Sequence, residues 1–240
     1  SVAGGIPILR TIDNSFAAAK IQLVMGIVNI TPDSFSDGGR YVVPQQAISH
    51  AEALLRDGAD LLDLGAESTR PGAAAVSWRE EWRRLEPVVA SLAARGCLLS
   101  IDTRNARTME AALKNGAAVI NDVTALEHDP DAIPFLAAQR CPVVLMHMRG
   151  TPETMAGLTS YSDVAVDVVR ELAARIAAAE AGGIARERLL IDPGIGFAKT
   201  TEQNAELLRR LPIFANLGSR MLLGTSRQRM NGPLSRATQG

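Results

Sequence analysis

Aromatic side chains make up only 4% of this 240-residue chain, so any core has to be built from Ala, Leu, Val and Ile. Lysine is scarce, occurring only at Lys20, Lys114 and Lys199, and histidine occurs only at His50, His128 and His147. Neither an HxxxH nor a Cys/His spacing is present, which excludes zinc chemistry of the usual kind. The two cysteines, Cys97 and Cys141, cannot form a disulfide framework. Both precede apolar runs, as buried thiols do. Charge of one sign is not in excess: 25 basic against 26 acidic residues leave a net charge of -1. Without a basic field, nucleic acid is excluded as a main partner. No apolar run approaches the ~18 residues that span a bilayer, and no positive-then-apolar leader is seen. The expected location is the cytoplasm, with no membrane partner. A 47% hydrophobic, 21% charged chain is an ordinary globular composition, not a disordered one.

No Pro/Gly/Ser linker divides the sequence, so residues 1–240 read as one domain. Its rhythm is a short apolar run ending in a carboxylate or amide, then a loop, an amphipathic stretch and a Gly. Leu61-Leu62-Asp63-Leu64-Gly65 follows Gly58, and Leu98-Leu99-Ser100-Ile101-Asp102 follows Gly96. Val119-Ile120-Asn121-Asp122 follows Gly116, and Leu189-Leu190-Ile191-Asp192 follows Gly182-Gly183. The glycines suit left-handed helix caps. The runs are continuous rather than alternating, as in parallel strands buried on both faces. With Leu23 to Ile30, Val143 to Met148 and Met221 to Gly224 they predict about seven strands. Helices are predicted over Gln45–Asp57, Ser77–Arg95, Asn105–Asn115, Asp129–Arg140, Tyr161–Ala181 and Thr201–Leu217. Repeated β-α units of this length predict an α/β fold, a TIM (β/α)8 barrel, ahead of a doubly wound sheet, whose glycine fingerprint is missing. Residues 1–20 are expected to cap the barrel. Residues 228–240 form an atypical tail, too poor in apolar residues for the last helix-strand-helix portion, which is expected to be missing.

In such a barrel the site lies at the C-terminal ends of the strands. That end collects Asn29, Asp63, Asp102, Asn121, Asp122, His147 and Asp192. One such Asp is commonly a loop or helix cap. A set on successive strands needs a polar ligand, and inward carboxylates with an amide suit a heterocycle bearing donors and acceptors. Arg70, Lys199 and Arg227 add cations suited to phosphate. The long loops Asn29 to Gly39 and Gly65 to Ser77 read as covers that exclude water. A hard cation such as Mg²⁺, carried on a phosphate, needs only one or two protein oxygens, from Asn29 or Asp33.

Two segments carry a specific resemblance. Met25-Gly26-Ile27-Val28-Asn29-Ile30-Thr31-Pro32-Asp33-Ser34-Phe35-Ser36-Asp37-Gly38-Gly39 and Asp63-Leu64-Gly65-Ala66-Glu67-Ser68-Thr69-Arg70-Pro71-Gly72 resemble the two signatures of the dihydropteroate synthases. Ser100-Ile101-Asp102-Thr103, Ile120-Asn121-Asp122, Leu145-Met146-His147-Met148 and Asp192-Pro193-Gly194-Ile195-Gly196-Phe197-Ala198-Lys199 follow in that family's order. The resemblance spans about residues 21 to 227. It implies a barrel enzyme of folate biosynthesis, usually a homodimer. The family condenses 6-hydroxymethyl-7,8-dihydropterin diphosphate with p-aminobenzoate, with Mg²⁺, and is the target of sulfonamides. The resemblance implies that the pterin is bound by Asp102, Asn121 and Asp192, with Met146 and Phe197 as walls. It implies metal and diphosphate contact by Asn29, and catalytic roles for Asp33, Thr69 and Arg70. Lys199, Ser226, Arg227 and Gln228 complete the expected substrate contacts.

At one of these positions the chain departs from the family. The family's seventh strand ends Ser-Arg-Lys, whereas here the run is Ser226-Arg227-Gln228, which keeps a donor but loses the charge. Beside the synthase reading stand two alternatives: a catalytically impaired pterin-binding homologue, which Gln228 and the expected loss of the barrel end would explain, or a pterin-dependent methyltransferase domain, which shares the barrel and the pterin-holding acids. A Gln228→Lys variant is expected to form product faster than the parent chain in a chromatographic assay. An unchanged rate would mean that position 228 is not used as in the family.

Overall fold

The structure, a computed structural model, describes residues 24–31, 42–69, 73–151 and 154–223. The expectations for residues 1–20, for most of the first long loop and for the 228–240 tail lie outside these residues, as does the expected loss of the barrel end.

Among the described residues seven strands form one sheet: β1 (Met25–Asn29), β2 (Leu61–Gly65), β3 (Leu99–Asp102), β4 (Val119–Asp122), β5 (Val143–Met146), β6 (Leu189–Asp192) and β7 (Arg220–Met221). Their spatial order is their sequence order, and every pair is parallel. A doubly wound sheet reverses its strand order at a switch point, so this sequential order is the barrel arrangement. The crossovers are helices α1 (Val42–Arg56), α2 (Trp78–Ala94), α3 (Ala106–Lys114), α4 (Ala132–Ala137), α5 (Val164–Ala181) and α6 (Thr201–Arg209).

Local chemistry sets several of the boundaries. Ser77 caps α2 by accepting from the Glu80 N–H at 3.3 Å, and Asp163 caps α5 by accepting from the Val166 N–H at 3.0 Å. Thr200 and Gln203 cap α6 reciprocally. The helix expected over Thr201–Leu217 stops at Arg209, because Pro212 has no N–H to continue the ladder; Leu211–Leu217 winds on as a 3₁₀ turn. The stretch expected over Asp129–Arg140 forms helix only from Ala132 to Ala137. Gly58, Gly96, Gly116 and Gly183 all have positive φ, as the capping role requires.

Two apolar layers hold the sheet. Outward side chains such as Leu62, Leu64, Ile101, Ile120, Leu145 and Ile191 pack with Leu85, Val88, Leu92, Met109, Leu172 and Ile176 of the helices. A separate cluster of Val119, Val144 and Leu190 occupies alternate strand positions and so faces the other side, toward the barrel axis. Among the described residues Phe214 is the largest fully buried side chain, and the next largest are aliphatic residues and Met109, as the low aromatic content implies. Cys141 is a buried free thiol, whereas Cys97 is only partly buried. No described helix is long and apolar enough to cross a membrane.

Beyond β4 the chain turns sharply, with Ala125 and Leu126 at φ 50° and 63°. Asp122 enforces this turn by accepting from Thr124 N (2.7 Å), Thr124 Oγ1 (2.8 Å) and Leu126 N (3.2 Å). It is therefore a turn-former rather than a ligand group. Burial pushes its carboxyl from 3.8 to about 6 against these three donors.

Two measurements follow from this packing. Leu85→Ala, at a fully buried position, is expected to cost roughly 2–5 kcal/mol in urea unfolding. For Asp122 the folded carboxyl binds a proton that the unfolded one has released between pH 4 and 6. Wild-type stability therefore falls with rising pH across that window relative to Asp122→Asn, by on the order of 3 kcal/mol. A pH-independent difference between the two proteins would show that burial does not raise this carboxyl.

Candidate active site

The parallel register decides which side chains meet at the C-terminal ends of the strands. Asn29 pairs with Gly65, Gly65 with Asp102, and Asp102 with Asn121. Met146 pairs with Asp192. At Gly65 a Cβ would stand 3.2 Å from Asp102 Oδ2, so the glycine leaves room for that carboxylate against β2. Asp102, Asn121, Met146 and Asp192, all expected at one site, stand at the same end of the sheet.

One layer deeper, Asp63 lies opposite Ser100 and is 4% exposed. It accepts from Ser100 Oγ at 2.7 Å and from Asn121 Nδ2 at 3.1 Å. Burial pushes its carboxyl above the usual range, and these two donors oppose that shift. A carboxylate can only accept, so it must face the NH₂ of the Asn121 amide. That orientation leaves Asn121 Oδ1 buried with no hydrogen-bond partner among the described residues. A buried acceptor in this condition is costly unless a ligand donor meets it. Asp192, also 4% exposed, accepts from Gly194 N at 2.8 Å and so starts the loop that follows β6.

The expected walls do come together. Met146 and Phe197 share a buried apolar cluster with Val123, Met155 and Ala198, against which Met148 packs. Val123, Met148 and Met155 were not read from the sequence. The Met-x-Met around His147 was the available signal, since flexible thioether side chains suit an apolar surface that must fit a ligand.

The loop after β2 carries Thr69, and Glu67 holds it. The Glu67 carboxylate accepts from Val76 N at 3.2 Å, from Arg104 Nε at 2.9 Å and from Arg104 Nη2 at 2.6 Å. Both partners of this ion pair are about one-eighth exposed, at 13% and 12%. It ties the loop to the segment just beyond Asp102. Sequence reasoning missed this pair because nothing in the chain relates position 67 to position 104.

Lys199 and His147, both singled out from sequence, bond to each other. Lys199 Nζ donates to His147 Nδ1 (2.9 Å), Gly194 O (2.9 Å) and Phe197 O (2.8 Å). Burial lowers the lysine to about 7, with the Asp192 and Glu171 carboxylates opposing. His147 Nε2 lies 2.7 Å from Glu171 Oε2, and its burial also depresses its basicity. His147 is thus a hydrogen-bonded core residue.

Asn29 is exposed at the end of β1. No group of three or more His, Cys, Asp or Glu among the described residues is arranged to hold a metal. One exposed amide oxygen suits a hard cation that arrives on a phosphate, not a cage built by the protein. Asp33, Arg70, Ser226, Arg227 and Gln228 lie outside the described residues.

The family described as pterin binding enzyme matches residues 25–239. A dihydropteroate synthase of Neisseria meningitidis serogroup C is 49% identical over 219 residues, covering 90% of this chain and 77% of the relative. The dihydropteroate synthase of Escherichia coli K12 is 45% identical over 212 residues, covering 88% and 75%. The solved Xanthomonas albilineans dihydropteroate synthase with 4-aminobenzoic acid superposes with a TM-score of 0.80 at 50% identity, covering 87% of this chain and 74% of that one. The same enzyme in complex with 7,8-dihydropteroate gives 0.79 at 46% identity, covering 90% and 77%. The fold is the barrel of those enzymes, and the chain belongs to the pterin-binding enzyme family, among its dihydropteroate synthases.

Proposed function

We propose that this chain condenses 6-hydroxymethyl-7,8-dihydropterin diphosphate with p-aminobenzoate to give 7,8-dihydropteroate and pyrophosphate. The observation that carries this reading is the Asn121 amide, whose NH₂ is committed to Asp63 while its Oδ1 is buried without a partner among the described residues. Asn121 pairs with Asp102 across β3 and β4, and Met146, which shares the apolar cluster with Phe197, pairs with Asp192 across β5 and β6. A flat heterocycle with N–H donors on its edge and a hydrophobic face satisfies this combination.

The chemistry assigned to these residues is a displacement at the pterin methylene. The C–O bond to the diphosphate breaks first and leaves an electron-poor carbon stabilised by the ring. The p-aminobenzoate nitrogen then forms the new C–N bond and gives up a proton to the departing pyrophosphate. Asp102, Asn121 and Asp192 hold the ring so that its methylene faces the loop after β2. Thr69 and Arg70 of that loop bind the departing diphosphate, and Glu67 and Arg104 keep the loop in place. Asp33 acts as the acidic group of the first loop. Asn29 would hold Mg²⁺, which when bound would supply positive charge to the leaving diphosphate. Ser226, Arg227 and Gln228 complete the p-aminobenzoate side. A relative from Yersinia pestis has been solved in a sulfonamide complex, covering 89% of this chain at 44% identity. The same reading makes this chain sulfonamide-sensitive, cytoplasmic and homodimeric.

Incubation of the full chain with the pterin diphosphate, Mg²⁺ and p-aminobenzoate is expected to yield dihydropteroate only when the arylamine is present. Folded protein that binds pterin but forms no product would be a binding-only homologue. Asn121→Ala and Asp102→Asn are each expected to weaken pterin binding by roughly tenfold to a hundredfold in calorimetry. Unchanged affinity in both variants would show that the polar ring is not the pterin site.

A further inference from the structure

Resting on the pterin reading above, we propose that Lys199 is a positioning residue: its ammonium fastens the loop after β6, with the Phe197 wall, to β5, and does not itself contact the substrate. A lysine ammonium has three N–H donors. All three are used within the protein, on His147 Nδ1, Gly194 O and Phe197 O. The two carbonyls flank Ile195 and Gly196, so a single cation closes the loop on itself and ties it to the neighbouring strand.

The loop needs such a tie. It starts at Asp192, whose carboxylate takes the Gly194 N–H. It then passes through Gly194 at φ 69°, Gly196 at φ 87° and Ala198 at φ 49°. The last is a left-handed conformation that a residue with a Cβ adopts only under constraint. At Gly194 a Cβ would overlap the His147 carbonyl oxygen, so loop and strand are in direct contact there. Turning two carbonyl oxygens toward one point is unfavourable until a cation lies between them.

The tie belongs to a closed circuit. The Lys199 ammonium can only donate, so His147 Nδ1 accepts and Nε2 carries the hydrogen given to Glu171. Glu171 is gripped by Arg149, whose guanidinium lies 3.8 Å over the Tyr161 ring. The Tyr161 hydroxyl donates to Ala198 O at 2.9 Å, which returns the circuit to the residue beside Lys199. The charged and titratable groups around the ammonium are therefore Asp192 on β6, His147 beyond β5, Glu171 on α5, and Arg149 and Tyr161 between β5 and α5. Phe197, whose carbonyl is in this grip, lines the apolar cluster with Met146.

The test compares wild type, Lys199→Met and His147→Gln in the full chain. One ligand is 6-hydroxymethyl-7,8-dihydropterin, which has no diphosphate, and the other is pyrophosphate. If Lys199 acts through the loop, both variants bind the bare pterin roughly tenfold more weakly, with pyrophosphate affinity and the p-aminobenzoate KM within about twofold of wild type. Lys199→Arg should restore part of the pterin affinity. In wild type, pterin affinity should fall as pH rises through about 7, where a neutral amine gives up one of its three acceptors; in Lys199→Met that step should vanish. Unchanged pterin binding with weakened pyrophosphate binding would overturn the proposal and make Lys199 a phosphate ligand. Wild type that is folded yet binds no pterin would overturn the pterin reading itself, a result distinct from wild-type binding that Lys199→Met leaves unaltered.

Discussion

Everything at the candidate site depends on the register of a parallel ladder. Side chains alternate between the helices and the barrel axis, so a one-residue slip would exchange the two sets. The observed register sets Asp102 against Asn121 and Met146 against Asp192, while Leu64, Ile101, Ile120 and Ile191 turn to the helices. Burial of those aliphatic side chains keeps the strands from slipping. The polar ring is thus maintained by hydrophobic packing on the opposite face of the same strands.

Buried polar groups below and beside the ring then determine what it presents. Asp63 gains two donors and in return orients the Asn121 amide. Glu67 and Arg104 hold the second loop, and Lys199 with His147 holds the sixth. These groups meet the hydrogen-bonding needs of buried atoms and also fix the geometry of neighbouring side chains. The arrangement resembles the outer shell of a metal site, where groups that do not touch the ligand set its shape.

Much of the fold and part of the site were legible in the chain. Continuous apolar runs such as Leu189 to Asp192, each ending in a carboxylate or amide, identify parallel strands and mark their C-terminal ends. Helix caps such as Thr200 with Gln203 are local and readable for the same reason. The end of α6 at Arg209 was less so, because the effect of Pro212 competes with a well-patterned run of apolar residues. Asp122 looked like its neighbour Asn121 in sequence, yet it bonds its own turn. The difference lies in the alternation of adjacent residues between faces.

The succession of strands along the chain, the end at which the polar residues gather and the kinship carried by the two long motifs are all readable without coordinates. These are local or periodic properties, written in adjacent residues. Which of those polar residues are available to a ligand depends on the folded chain. Lys199 and His147 are 52 positions apart, Asn121 and Asp63 are 58 apart, and Arg104 and Glu67 are 37 apart. Whether a charged or amide group faces the cavity depends on which partner has already taken its donors and acceptors. That partner is chosen by the packing of distant strands, and no short-range pattern encodes it.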